Sequence, residues 1–280
     1  KCMAFHQKAG TLTTDINLSL QKICKPETIL LEAAHQPNFL PYAGFFQKIL
    51  IMNIISEKLT KKGFNNVQMF GLLDTDTVRS KWTRSTLIRD PSRKGNSFFL
   101  RCKPKNKKLG FNFNPVPSLD EKRKWKIDLD QWINSNISLI NKGTKNNDKS
   151  YKISYAEKAN LKSNADLIYD ILDVNSASNF GDYNSTVISK VVNKNFKMPT
   201  LFYNYSSSIE LLSNDFSELF KNLEVYVRSH NKHLERTKEI IEISKEDYVK
   251  KIDATNIPFR YQCDCGSAVS LSIQNNNFIG

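Results

Sequence analysis

Residues 35–49 read HQPNFLPYAGFFQKI, a polar turn with two prolines and a glycine between an apolar run and an amphipathic one. Upstream, residues 28–34 read TILLEAA, an apolar run of strand length that predicts a short buried β-strand. Downstream, apolar side chains recur at helical spacing from Phe45 to Ile54, which predicts a helix over about 42–60. A strand that ends in a polar turn and then enters a helix is where α/β proteins place ligand sites. The orphan amides at the start of such a helix favour an anion.

Two further apolar runs predict strands that belong to the same sheet. Residues 66–74 read NVQMFGLLD, and residues 198–205 read MPTLFYNY. Strands joined through helices run parallel, with right-handed crossovers. The sequence therefore predicts an α/β fold, a mostly parallel Rossmann-like sheet with helical additions over residues 119–196.

Composition limits the class of protein. The chain has 280 residues, enough for a full core, with 40% hydrophobic and 25% charged residues. No run approaches the ~20 apolar residues of a membrane span, and there is no signal-peptide pattern. Five scattered cysteines do not make a disulfide scaffold, so we expect a reducing cytoplasm. The absence of a starting Met indicates a piece of a longer chain.

The net charge of +13 has two explanations. It is either solubilising charge from an Asn- and Lys-rich composition or an attraction for a phosphate-bearing ligand. No motif for specific nucleic-acid binding is present, so the second explanation predicts an anionic, phosphate-bearing small molecule as partner.

The first candidate site residues lie in the 35–49 stretch. The His35 ring can donate to a phosphate or act as an acid or base, with Gln36 and Asn38 beside it. The alternative is a half-buried histidine that ties down the turn. Gly44 permits close backbone approach, either to a ligand or to a neighbouring strand.

A second set follows the predicted second strand. Asp74 and Asp76 alternate at its end, so they could face one cleft and hold Mg²⁺ or a ribose hydroxyl, with a nucleotide as cofactor. The alternative is that they cap their own turn. Trp82 and Arg84 could stack on and pair with a substrate, although a lone Trp is more often part of the core.

The later candidates are polar residues at predicted helix starts. Asn179 and Asn184 suit helix caps and helix-face contacts, and Asn184 could also reach the cleft. Ser206 and Ser207 offer hydroxyls at the start of a predicted helix over 207–221, which suits either an anion site or an ordinary N-cap.

A separate motif lies near the end of the sequence. Cys263 and Cys265 form a Cys-x-Cys pair before an alternating strand, which resembles half of a zinc ribbon. Structural zinc needs four ligands, so this interpretation expects two more beyond Gly280. The alternative is two free thiols.

Residues 35–49 also resemble the signature of the WbqC-like family, His-Gln-Pro-Asn followed by an aromatic, Pro, a Gly-aromatic pair and Lys-Ile. Three further places match in order: Leu72-Leu73-Asp74 with Trp82, Asn179-Phe180-Gly181-Asp182-Tyr183-Asn184, and Tyr205-Ser206-Ser207. The family has Asp-Asp-Val where residues 74–78 read DTDTV, and Asn-Arg-Asn where residues 83–86 read TRST. The second departure leaves the role of Arg84 open.

The resemblance implies an enzyme of surface-polysaccharide biosynthesis. It would be a transferase or an amide-forming enzyme that acts on a nucleotide- or phosphate-activated substrate. A more distant likeness to the bacillithiol cysteine-ligase family and class I nucleotidyltransferase-like folds implies a ligase. The third hypothesis is a non-catalytic module that binds a sugar or nucleotide. The predicted segments are a helical lead-in (1–27), the WbqC-like domain (28–225), a charged helical segment (226–258) and the ribbon half (259–280).

Overall fold

The computed structural model describes residues 1–89, 97–143, 153–241, 251–253, 257, 259–274 and 277–279. The chain divides into two compact units, Lys1–Tyr205 and Ser206–Gly280. The predicted lead-in of residues 1–27 lies within the first unit, and the predicted boundary at 225/226 falls within the second.

The first unit contains most of the regular structure. Its helices are α1 (Cys2–Ala9), α2 (Thr14–Lys22), α3 (Ala43–Lys61), α4 (Leu119–Gly143), α5 (Tyr155–Leu172) and α6 (Phe180–Ser189), which continues as a π-helical segment, Lys190–Asn195. Its strands are β1 (Ile29–His35), β2 (Asn66–Leu72), β3 (Ser85–Arg89), β4 (Ser97–Arg101) and β5 (Thr200–Asn204).

A three-stranded parallel sheet in the order β1-β2-β5 forms the centre of this unit. The α/β class, the three parallel strands and the helix between β1 and β2 are confirmed. The prediction that β1 is buried is wrong, because β1 is an edge strand and alternates between exposed and half-buried residues. The central strand β2 is buried along nearly its whole length.

Helices cover both faces of the sheet. Phe70, Leu72 and Phe202 point to one face, where they pack against α3 and α6. Val67 and Leu201 point to the other face, where Ile16 of α2 covers them. This alternation follows from the period of two in a strand.

Side chains occupy the free edge of β5. The Asn193 amide donates to the Thr200 carbonyl oxygen (3.1 Å) and accepts from the Thr200 N–H (2.9 Å). The next outward N–H, from Phe202, donates to Nε2 of His6 at 3.0 Å. These bonds satisfy edge groups that would otherwise template pairing with another chain.

A second core lies beside the sheet. It joins the loops after β1 and β2 to β4, α4, α5 and α6, with Phe39, Phe111, Trp125 and Tyr183 as its large buried side chains. The hairpin of β3 and β4 is antiparallel.

The second unit is helical and then β. Its elements are α7 (Tyr205–Ser208), a 3-10 turn (Ile209–Leu212), α8 (Ser213–Lys221), α9 (Leu223–Ile241), β6 (Arg260–Gln262), β7 (Ala268–Ser270), β8 (Ser272–Gln274) and β9 (Asn277–Ile279). The last four strands form two antiparallel hairpins, β6-β7 and β8-β9. The predicted charged helical segment over 226–258 is helical as far as Ile241, and residues 242–250, 254–256 and 258 lie outside the described residues.

Candidate functional site

His35 lies at the carboxyl end of β1, half-buried beside the start of α3. Its Nδ1 is 3.0 Å from the Gln36 carbonyl oxygen. That oxygen can only accept, so in the neutral ring Nδ1 carries the proton and Nε2 accepts from the Tyr42 hydroxyl at 3.2 Å. The ring therefore connects the Gln36 carbonyl oxygen to the Tyr42 hydroxyl within the turn. Its Nε2 faces an exposed side chain, since Tyr42 is 56% exposed.

Tyr42 is the functional candidate that the sequence analysis missed. It is the N-cap residue of the 19-residue helix α3 but makes no side-chain cap. A Cβ at Gly44 would lie 2.5 Å from the Tyr42 ring, so the glycine makes room for this ring over the first turn. The sequence feature that could have identified Tyr42 is an aromatic residue at a position where Ser, Thr, Asp or Asn usually caps a helix.

The turns after β1 and β2 are joined by polar side chains. Gln36 Nε2 donates to Asp76 Oδ2 at 2.8 Å, and the Leu73 N–H donates to the His35 carbonyl oxygen at 3.0 Å. His35, Gln36 and Asp76 therefore lie together at the carboxyl edge of the sheet.

Asp74 does not share that position. Its exposed fraction is 1%, and a Cβ at Gly181 would lie 2.9 Å from the Asp74 Cβ. The carboxylate side chain therefore packs against the first turn of α6, whose positive end favours a negative charge. The prediction that Asp74 and Asp76 face one open cleft is wrong for Asp74, because Gly181 lets α6 approach and cover it.

Asn38, in the loop that follows β1, and Asn184 of α6 are both buried. Asn184 Nδ2 donates to the Pro37 carbonyl oxygen at 2.8 Å. The side-chain oxygens of both residues are buried and have no hydrogen-bond partner within the described part of the chain. A buried acceptor without a donor costs ~1–3 kcal/mol. Asn179 is the N-cap of α6, accepting from the Asp182 N–H at 2.8 Å, as predicted.

Trp82 and Arg84 lie on a short segment next to this loop, because the Phe39 N–H donates to the Thr83 carbonyl oxygen at 3.1 Å. The core alternative for Trp82 is wrong, since the indole is 56% exposed. Arg84 is half-buried, and its Nε has no hydrogen-bond partner among the residues described.

A polar network follows the end of β5. Asn204 Nδ2 donates to Asp182 Oδ1 (2.8 Å), and Lys8 pairs with Asp182 Oδ2 (2.7 Å). Ser185 donates to Asn204 Oδ1 at 2.7 Å. No local sequence pattern predicts this network, because its members come from α1, α6 and β5.

An apolar cavity of about 250 Å³ opens beside the loop. Leu40 and Pro41 form one wall, Phe46 another, and Ile168, Ile171 and Phe196 lie among the remaining lining residues. Leu40 has a φ of 45°, a left-handed conformation that is uncommon for a non-glycine residue. Such a lining suits an uncharged, hydrophobic part of a ligand.

Ser206 and Ser207 belong to the second unit. They lie within the four-residue helix α7, so the predicted N-cap role is wrong: the helical segment begins at Tyr205, before the serines.

Cys263 and Cys265 occupy the loop that joins β6 to β7, and both are free thiols. The Cys265 N–H donates to Cys263 Sγ at 3.5 Å. Hydrogen bonds from Ser267 lower the pKa of the exposed Cys265 thiol.

The metals predicted from the sequence fit this chain unequally. Mg²⁺ is usually held by one or two carboxylates together with substrate phosphates, and Asp76, bonded by Gln36, is the carboxylate at this edge that such a site would use. Structural zinc needs four ligands, and the described residues contain no group of three or more His, Cys, Asp or Glu side chains arranged to hold a metal. Cys263 and Cys265 alone do not fit a closed zinc site.

Comparison with models of known protein families gave no match, and no curated protein matches the chain. The WbqC-like resemblance therefore stays a prediction, carried by the short motifs quoted above. Within the described residues, no helix is both long and apolar enough to cross a membrane.

Proposed function

We propose that the chain is a WbqC-like enzyme of glycan biosynthesis with a Rossmann-like sheet, and that it binds the phosphate of an activated substrate at the start of α3. The observation that carries this proposal is the position of His35 beside a 19-residue helix whose N-cap residue provides no side-chain cap. The first-turn amides and the positive end of the helix attract an anion, and a protonated imidazole adds a charged donor.

The surrounding residues support a substrate with more than a phosphate. Asp76, which accepts a hydrogen bond from Gln36, would hold the Mg²⁺ ion that accompanies a nucleotide. The ion would neutralise the charge of the phosphates. The exposed Trp82 ring offers a stacking surface. Group transfer or amide formation is the reaction class that such a substrate implies.

Calorimetric titration with nucleotides and nucleotide sugars, with and without Mg²⁺, tests this function. His35→Ala is expected to weaken binding ~10- to 100-fold, the equivalent of one hydrogen bond to a charged group. Asp76→Asn is expected to remove the Mg²⁺-dependent part of the affinity. His233→Ala is the matched control, because His233 is exposed in the second unit, and it should leave binding unchanged.

The same titration separates the alternatives. Binding of ATP with pyrophosphate release favours the ligase hypothesis. Tight binding without turnover favours the non-catalytic module, which the double anchoring of the His35 ring within its own turn also supports. Absence of binding by the wild-type chain, or equal binding by wild type and His35→Ala, contradicts the proposal.

A further inference from the structure

The loop between β6 and β7 brings two thiols together at the surface. The Gly266 N–H donates to the Cys263 carbonyl oxygen at 2.7 Å, and the Cys263 N–H donates to the Ser267 carbonyl oxygen at 2.9 Å. This closes a tight turn over residues 263–266. Gly266 has a φ of 83°, which glycine adopts without strain. In an extended strand, the Cα atoms of two residues at this spacing would be ~7 Å apart, with both side chains on the same face.

The turn brings the two thiols close together. The Cys265 N–H donates to Cys263 Sγ at 3.5 Å, and a hydrogen bond from the Cys263 side chain contributes to lowering the pKa of Cys265. Cys265 is exposed and Cys263 is half-buried, so one thiol meets solvent and the other lies directly behind it. An exposed thiol with a second thiol in reach is the arrangement that makes and breaks disulfides readily.

We propose that Cys263 and Cys265 form a reversible dithiol that exchanges with small disulfides such as oxidised glutathione. The Cys265 thiolate attacks one sulfur of the small disulfide, which forms a mixed disulfide and releases one small thiolate that takes up a proton. Cys263 then attacks Cys265 Sγ, which closes the Cys263–Cys265 bond and releases the second small thiol. Two protein thiols are oxidised and one small disulfide is reduced to two thiols.

The test treats the full chain with oxidised glutathione and maps every cysteine by proteolysis and mass spectrometry. Cys24 is an internal control, because it is exposed and its Sγ contacts only the Leu20 carbonyl oxygen among the hydrogen bonds described. The expected result is an internal Cys263–Cys265 disulfide with no retained glutathione, which excess reduced glutathione reopens. Cys24 should instead keep its glutathione.

Cys263→Ser is expected to trap the mixed disulfide on Cys265, because the attacking sulfur of the second step is gone. The reverse variant, Cys265→Ser, should react more slowly, since the remaining thiol is half-buried. The proposal is overturned if Cys263 and Cys265 both end glutathionylated in the wild-type chain. It is also overturned if both stay reduced while Cys24 reacts, or if the purified chain holds zinc that protects the pair.

Discussion

The wild-type chain is expected to lose ~2 kcal/mol more of its unfolding free energy between about pH 7.5 and pH 5 than the His6→Gln variant. His6 is fully buried, and burial lowers its pKa from the ordinary 6.5 to about 4. Nε2 accepts from the Phe202 N–H, so Nδ1 carries the proton and bonds Thr11 Oγ1 at 2.8 Å. The folded chain therefore needs the neutral ring.

The sign follows from which state binds protons. Below 6.5 the unfolded chain protonates its histidine while the folded chain does not, so stability is complete above about pH 6.5 and falls as the pH drops towards 4. A difference of about 2.5 between the two pKa values limits the total loss to ~3 kcal/mol.

Urea unfolding followed by tryptophan fluorescence measures this loss, because Trp82, Trp125 and Trp132 all lie in the first unit. Glutamine is the informative replacement, since its amide can accept from Phe202 and donate to Thr11 but does not titrate. His233→Gln removes an exposed histidine and should keep the wild-type slope. Identical pH dependence in wild type and His6→Gln would show that His6 is not held neutral.

Gly181→Ala is expected to destabilise the first unit by ~1–3 kcal/mol, the usual cost of overpacking. The added Cβ would lie 2.9 Å from the Asp74 Cβ, 3.2 Å from Asn179 Oδ1 and 3.4 Å from the Asn112 nitrogen. Those neighbours are a buried side chain, a helix cap and backbone, none of which is the end of a flexible chain.

Helix propensity alone predicts the opposite effect for Gly181→Ala, because alanine is more favourable than glycine inside a helix by ~1 kcal/mol. If the close approach of α6 to Asp74 were absent, the substitution would stabilise the chain. Urea unfolding of the two proteins decides the sign. The same variant should also weaken ligand binding, since α6 carries Asn184, which bonds the Pro37 carbonyl oxygen beneath the His35 loop.

The sequence predicted the β1-α3-β2 unit and β5 because their signals are local. Apolar runs of strand length end at polar turns, and α3 has a continuous helical pattern. The exposure of β1 could not be predicted, because an edge strand and a central strand have the same period and differ only in how many neighbours pair with them.

The site was predictable only where one segment supplies it. His35, Gln36 and Asn38 share a turn, so the sequence identified them together. The burial of Asp74 depends on α6 packing on it through Gly181, which is more than 100 residues away in the chain. The His6 contact with β5 is also tertiary, because His6 lies almost 200 residues before Phe202. Residue type alone carries no signal for such contacts.

Phosphate binding at the start of α3 beside His35 can be tested by amide NMR of a sample that is labelled at alanine and glycine nitrogens and titrated with inorganic pyrophosphate. We expect saturable shifts of the Ala43 and Gly44 amides that His35→Ala weakens, while the Gly10 and Gly63 amides stay in place. Binding that moves Gly10 or Gly63 but leaves Ala43 and Gly44 unchanged would contradict it.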